Sequence, residues 1–311
     1  MESYRFHASD DAELHCLRWR PAQRPRAAVH IAHGMGEHAA RYARLGERLA
    51  REGYLVVAND HRGHGETAAA DRLGDIGPDG WNRMVEDLRE INAHLRDLAS
   101  DAPRVLLGHS MGAMLAQQYL CRHGATLDAA VLSGSPGLGT PFALWLPHTL
   151  ARFERMRLGR DAASPLMQRL LFGAANDSFE GPTGFEWLSR DGDEVAKYVA
   201  DPKCGFVLRV GGLCDLFAGA RWTRTRAANA AIPRRLPVYV MSGSDDPVHG
   251  EGKGLDRLLA AYRRSGLANV SERRYPGGRH ELFNETNRDA VVDDLVGWLD
   301  RTIAPHSRRA G

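Results

Sequence analysis

Short apolar runs alternate with amphipathic stretches along most of this chain, and that rhythm limits the possible folds more than any other feature. Ala27–Ala32, Tyr54–Asn59, Arg104–Gly108 and Ala129–Leu132 are each about as long as a strand. A continuous apolar run of that length suits a strand covered on both faces. Between the first two runs, His38–Glu52 carries Tyr42, Leu45 and Leu49 at helical spacing, and Gly53 stops it. Between the next two, Gly80–Ser100 places Trp81, Met84, Val85, Leu88, Ile91, Leu95 and Leu98 on one stripe. Strand, helix, strand, helix in this order predicts a mostly parallel sheet with helices on both faces, an α/β architecture. Upstream, Tyr4–Ala8 and Glu13–Trp19 flank Ser9-Asp10-Asp11 and read as a β-hairpin.

The rhythm breaks near Pro136 and resumes near Pro237. The stretch between reads as helical and irregular, with no strand. Pro237–Ser242 and Val270–Tyr275 then read as strands and Leu255–Arg264 as a helix. A last helix is expected at Asn287–Ile303, with a frayed tail at Pro305–Gly311. The expected organisation is a core block at 1–136, a helical cap or lid insertion at 137–235, and a second core block at 236–311.

Composition narrows the partners. The 311 residues hold 41 basic and 39 acidic side chains, a formal net charge of +2. So even a balance gives no electrostatic basis for binding nucleic acid. The arginines at 18–26 and 221–226 read as solvated faces, with anionic lipid headgroups as the other reading. No stretch approaches the roughly 20 apolar residues of a membrane span, so no stable membrane insertion is expected. The N-terminus lacks an apolar signal segment. Cys16, Cys121, Cys204 and Cys214 form no Cys-x-x-Cys pair and no metal-like cluster, and fit reduced thiols, although Cys204 and Cys214 could pair. The expectation is a soluble cytoplasmic enzyme; oligomeric state is not legible.

Chemistry enters at Gly108-His109-Ser110-Met111-Gly112. The motif follows a buried strand and precedes a helix. That context forces a serine into a tight turn with its oxygen exposed above the sheet, and glycines must flank it because backbone approaches backbone. Ser110 is the expected nucleophile. It needs a histidine to take its proton and a carboxylate to orient that histidine. In sheets built this way the partners follow in the order serine, acid, histidine. Of the 14 histidines, His280 lies in the loop between the last strand and the last helix, at the sheet edge that holds Ser110. His109 reads as packing, pointing away from Ser110. His33, His61 and His64 read as supporting residues, and His249 as a weaker competitor for the base. The acid belongs after Pro237–Ser242, where Asp245 and Asp246 stand side by side. The oxyanion needs two N–H groups placed in advance. Met111, after the serine, supplies one. Met35, in His33-Gly34-Met35-Gly36, supplies the other.

These pieces together resemble the monoacylglycerol lipase and lysophospholipase-like branch of the α/β hydrolases, the serine aminopeptidase-like hydrolases. The resemblance rests on His33-Gly34-Met35-Gly36-Glu37-His38 with Arg41-Tyr42, on Asp60-His61-Arg62-Gly63-His64-Gly65, on the Ser110 motif, on Gly243-Ser244-Asp245-Asp246, and on Gly278-Arg279-His280-Glu281. It implies the α/β-hydrolase fold and a Ser110–Asp246–His280 triad, the acid being the last residue of Gly-x-x-Asp. It also implies hydrolysis of carboxylic esters bearing an acyl or lipid-like group, with no cofactor and no metal. A thioesterase, amidase, peptidase or perhydrolase would use the same residues. Epoxide hydrolases and dehalogenases of this fold carry aspartate where Ser110 stands. A binding protein that kept the fold is the reading from a different class. Substrate contacts are expected from the insertion: Trp145, Leu146, Leu170 and Phe217, with Phe142, Leu166, Leu171, Phe172, Phe206 and Leu213 as further apolar wall.

Overall fold

The computed structural model describes residues 1–307, with side chains to 303. Eight strands form one sheet in the order β1-β2-β4-β3-β5-β6-β7-β8. β1 (Glu2–His7) and β2 (Glu13–Trp19) make the expected antiparallel hairpin, and β2 also runs antiparallel to β4 (Tyr54–Asn59). From β4 onward all pairings are parallel, through β3 (Ala27–Ala32), β5 (Arg104–His109), β6 (Ala129–Ser133), β7 (Val238–Gly243) and β8 (Val270–Tyr275).

The apolar runs are apolar for the predicted reason. Along β5, Val105 and Leu107 pack to one face and Leu106 to the other; Val131 and Leu132 divide in the same way on β6. One face is covered by α1 (Ala43–Arg51) through Leu45 and Leu49, and by the helix Arg288–Ser307 through Val291, Leu295 and Trp298. The other is covered by α2 (Gly80–Leu98), α3 (Met111–His123) and the helix Lys253–Arg264. β8 closes the sheet as an edge strand. Its Ser-Glu-Arg-Arg stretch is exposed, which blunts the unpaired edge against further pairing.

Two details differ from expectation. The segment His38–Glu52 opens with a 3₁₀ turn at Ala39–Tyr42 before α1 begins. The last helix is described to Ser307, three residues into the expected tail, and the rest of that tail lies outside the described residues. All four cysteines are free, in line with the reduced-thiol reading, and Cys204 and Cys214 do not pair. Between β6 and β7 the described residues form helices only, among them α4 (Pro141–Leu158), Gly192–Ala200 and Val210–Thr223.

The turn after β5 depends on missing side chains. A Cβ on Gly112 would sit 2.0 Å from the Ala32 carbonyl oxygen, and one on Gly108 would sit 2.3 Å from the Gly112 carbonyl oxygen. Both neighbours are backbone and have little room to yield. Gly112→Ala is therefore expected to lower stability by at least ~1–3 kcal/mol through overpacking. Urea denaturation followed by circular dichroism checks it, and an unchanged midpoint would contradict this account of the turn.

Candidate active site

Four loops meet at the C-terminal edge of the parallel strands, the edge where ligands bind in open α/β sheets. They follow β3, β5, β7 and β8, and carry Met35, Ser110, Asp246 and His280.

Ser110 caps α3 at φ 52°, ψ −113°, a conformation that L residues rarely adopt. Its N–H donates to the Ser133 carbonyl of the neighbouring strand end at 3.0 Å, which helps hold the strained turn. The adjoining Met111 amide starts a helix, where the dipole favours negative charge. Among the described residues, neither the Met111 nor the Met35 amide donates a hydrogen bond. Met35, Ser110 and Met111 line the same cavity; two amide donors placed in advance are what a developing oxyanion requires.

His280 Nδ1 donates to Asp246 Oδ2 at 2.9 Å, and Asp246 Oδ1 accepts the Val248 amide at 2.9 Å. Asp245 turns away, its carboxylate taking the Ser244 hydroxyl. His249 is unsuited as a base because backbone occupies both ring nitrogens: Nε2 donates to the Gly243 carbonyl and Nδ1 accepts the Gly252 amide. Ser110 and His280 share a cavity wall without a hydrogen bond between them. Such bonds often tighten only when substrate binds. Burial acts to lower the His280 pKa, but the adjacent Asp246 charge and hydrogen bond raise it above the ordinary value. Burial likewise acts to raise Asp246, and the His280 partner holds it below the usual carboxylate range. The pair can accept a proton while remaining oriented.

His109 is a buried packing residue, and the ring it packs on belongs to the candidate base, with centroids 4.7 Å apart. On its other side His280 meets Trp187, at 4.8 Å. Trp187 was not legible as a site residue, because it comes from the helical stretch between β6 and β7, far from His280 in sequence. There the chain from Glu186 to Arg190 runs beside the His280 loop. The His280 amide donates to the Trp187 carbonyl at 3.3 Å and the Glu281 amide to Leu188 at 2.8 Å. Arg190 Nε donates to Glu285 at 2.8 Å.

A buried charge cluster ties the loops together. Arg41 donates to Glu37 at 2.8 Å and, through two nitrogens, to Glu281 at 2.5 and 2.7 Å. Glu37 also accepts the Gly34 amide at 2.5 Å and the Tyr42 hydroxyl at 2.8 Å, so it braces the turn bearing Met35. Burial alone would raise the Glu37 carboxyl; Arg41 brings it down to about 2. The i, i+4 spacing of Glu37 and Arg41 was a readable signal for one half of this cluster; Glu281 was not readable as the other. Behind it, His33 donates from Nδ1 to the Gly34 carbonyl and accepts the His61 amide on Nε2. The His64 ring packs 5.1 Å from that of His33. These histidines support the turn as expected, and the Asp60 carboxylate accepts the Ala39 and Glu66 amides beside them.

The cavity in front of Ser110 has a volume of about 450 Å³. Leu170, Leu171, Phe172 and Phe217 line it, as do Met114, Leu138, Leu144 and Leu216, which were not expected. Trp145 and Leu146 do not line it, nor do Phe142, Leu166, Phe206 and Leu213. The reason is helical period: α4 turns Ala143, Leu144 and Pro147 inward and leaves Trp145 and Leu146 on its outer side, 52% and 41% exposed.

A sheet of this order, with a serine turn after its central strand, is the α/β-hydrolase fold. Residues 23–287 match the family described as Serine aminopeptidase, S33, and the chain belongs to that family. It is 30% identical over 285 residues to the monoacylglycerol lipase of Mycolicibacterium smegmatis, covering 90% of each chain. It is 28% identical over 311 residues to the mouse monoglyceride lipase, covering 95% of this chain and 89% of that one. The crystal structure of a thermostable carboxyl esterase from Bacillus coagulans, in complex with glycerol, superposes with a TM-score of 0.88 at 27% identity, covering 97% and 98%. The chain is thus an enzyme, a hydrolase of carboxylic esters. No helix among the described residues is long and apolar enough to cross a membrane.

The buried histidines set the acid sensitivity of the fold. Burial brings His30 and His109 down to about 4 and His64 to about 3. The unfolded chain protonates them near pH 6.5, so between these values it binds more protons than the native state and stability falls as pH falls. His33 and His61 act in the same direction, and the raised His280 opposes them. The urea midpoint should decline steadily from about pH 7 to about pH 4. A flat profile over that window would contradict the burial of these rings.

Proposed function

We propose that the protein hydrolyses monoacylglycerol-like esters through a Ser110–Asp246–His280 triad and an acyl-enzyme. The observation that carries this is the placement of the strained Ser110 on the wall of a largely apolar cavity with the hydrogen-bonded His280–Asp246 pair. His280 takes the hydroxyl proton as Ser110 attacks the ester carbonyl. The Met35 and Met111 amides receive the oxyanion. Protonated His280 then delivers its proton to the leaving alcohol. Water, activated by the same ring, cleaves the acyl-enzyme. Asp246 holds the imidazole tautomer throughout.

The cavity has two chemical ends. Met114, Leu138, Leu144, Leu216 and Phe217 offer an apolar wall for an acyl chain. Glu37, Tyr198 and Glu281 gather around Arg41, whose guanidinium lies 4.7 Å from the Tyr198 ring centroid. Tyr198 lines this end of the cavity, which suits a small polar alcohol. Segment 137–235 serves as the cap or lid, with cores at 1–136 and 236–311, and it supplies most of the acyl wall. A cytoplasmic setting agrees with four unpaired thiols. The names of the relatives support the glycerol ester reading.

The test is a substrate panel: monoacylglycerols and p-nitrophenyl esters of graded chain length, lysophospholipid, acyl-CoA and aminoacyl amides. Monoacylglycerol is expected to show the highest kcat/KM. A clear preference for acyl-CoA or the amides would overturn the substrate assignment. Ser110→Ala should lower kcat by ~10⁶ with the fold intact by circular dichroism. Asp246→Asn should lower it by ~10⁴ through the wrong tautomer. Wild-type kcat/KM should fall on the acid side of a midpoint above about 6.5, because the base must be neutral and Asp246 raises its pKa. Retained activity in Ser110→Ala would remove the triad.

A further inference from the structure

His38 follows the turn that carries Met35. Asp201 and Cys204 lie between the helices Gly192–Ala200 and Val210–Thr223. One donor atom from each of the three lies within 4.8 Å of the others, and all three residues are half-buried. The set is an imidazole nitrogen, a carboxylate oxygen and a sulfur. We propose that His38, Asp201 and Cys204 form a binding site for a borderline-soft divalent metal, zinc above all, that fastens the insertion to the Met35 turn.

Zinc takes nitrogen, oxygen and sulfur ligands at about 2.0–2.3 Å, which sets tetrahedral ligand atoms roughly 3.3–3.7 Å apart. His38 Nε2 and Asp201 Oδ2, now 2.8 Å apart, would part slightly to admit the ion, and the sulfur already lies within 4.8 Å of both. Three protein ligands leave a fourth position for water. The carboxylate is already oriented. Asp201 Oδ1 accepts the Lys203 amide at 2.8 Å, which leaves Oδ2 facing His38 Nε2 at 2.8 Å. The Cys204 amide closes the same turn onto the Asp201 carbonyl at 3.0 Å. Outer contacts of this kind fix metal ligands in place. On binding, the metal takes the place of the proton between His38 Nε2 and Asp201 Oδ2: the neutral imidazole then carries its one proton on Nδ1, any other ring proton passes to solvent, and Cys204 releases its thiol proton to solvent. Carboxylate and thiolate then balance the dication. The nearby cations are already paired, Arg41 with Glu37 and Glu281 and Lys203 with Glu66.

The site opens away from Ser110. His38 and Lys203 border an outer groove of about 410 Å³, and none of the residues lining that groove lines the Ser110 cavity. Its link to the Met35 turn is short. The Gly205 amide donates to the Gly36 carbonyl at 3.0 Å. Gly36, at φ +67°, lies so close to Phe206 that a Cβ would stand 2.3 Å from the Phe206 carbonyl oxygen. A metal on Cys204 and His38 adds a second tie beside that contact. Any consequence for turnover rests on the oxyanion assignment; the binding itself does not.

Cobalt(II) and zinc(II) titrations of the metal-free full chain test the site. Cobalt should give one equivalent with a thiolate-to-metal absorption band in the near ultraviolet, and zinc should displace it. Cys204→Ser should lose the band and weaken zinc binding more than ~10-fold by calorimetry. Cys214→Ser should keep both. His38→Gln, with its fold checked by circular dichroism, serves if Cys204→Ser does not fold. Absence of the band, or zinc held as tightly by Cys204→Ser or His38→Gln, would overturn the proposal and leave the triplet as an ion pair beside a thiol. These readouts need no ester substrate, so failure here is distinct from failure of the proposed reaction.

Discussion

Backbone packed directly on backbone where β5 turns into α3 is the constraint on which the rest of the site depends. Gly108 meets Gly112, and Gly112 meets the carbonyls of Ala32 and His33 at the end of β3. This contact does two things at once. It lets the chain reverse tightly enough to force Ser110 into a positive-φ conformation. It also sets the start of α3 against the turn bearing Met35, so the two free amides are placed by the same packing that exposes the hydroxyl. Strain at one residue is tolerated because the surrounding sheet over-determines its position.

Electrostatics then join loops that the sheet alone would leave independent. Burying Arg41, Glu37 and Glu281 costs several kcal/mol of lost hydration per ion, and close bidentate geometry has to offset it. The return is positional. Glu37 braces the Met35 turn, Glu281 follows His280, and Arg41 holds both. The insertion adds a third tether, since Trp187 and Leu188 accept the amides of His280 and Glu281. His280 is therefore held by Asp246 at Nδ1, by aromatic rings on two sides, and by backbone bonds to a segment nearly a hundred residues earlier in the chain. The part of the insertion next to His280 is integral to the site, while the outer side of α4 stays exposed.

Much of this was legible because it follows from local chemistry. Apolar runs and helical stripes marked the sheet and its covering helices, and the break after β6 marked the insertion. The Ser110 motif was readable because it stands between a buried strand and a helix, with Gly108 and Gly112 two residues to either side of the serine. His280 was readable from its loop. Asp246 over Asp245 came from family resemblance alone; adjacent side chains diverge, and only the fold reveals which one meets the ring. The cavity wall was half legible. Leu170 and Phe217 line the cavity, but Trp145 and Leu146 do not, because composition marks a helix as apolar without saying which side faces inward when both sides carry large residues.

The sequence by itself determined the alternating architecture and the serine turn and marked candidates for acyl transfer, since these rest on periodicity and on steric needs within a few residues. Tertiary structure decided which side chains meet: Arg41 with Glu281, Trp187 with His280, Asp201 and Cys204 with His38. Those pairs are separated by tens to hundreds of residues. Their contact depends on how the insertion seats on the sheet, a result of the packing of the whole core that no local pattern encodes.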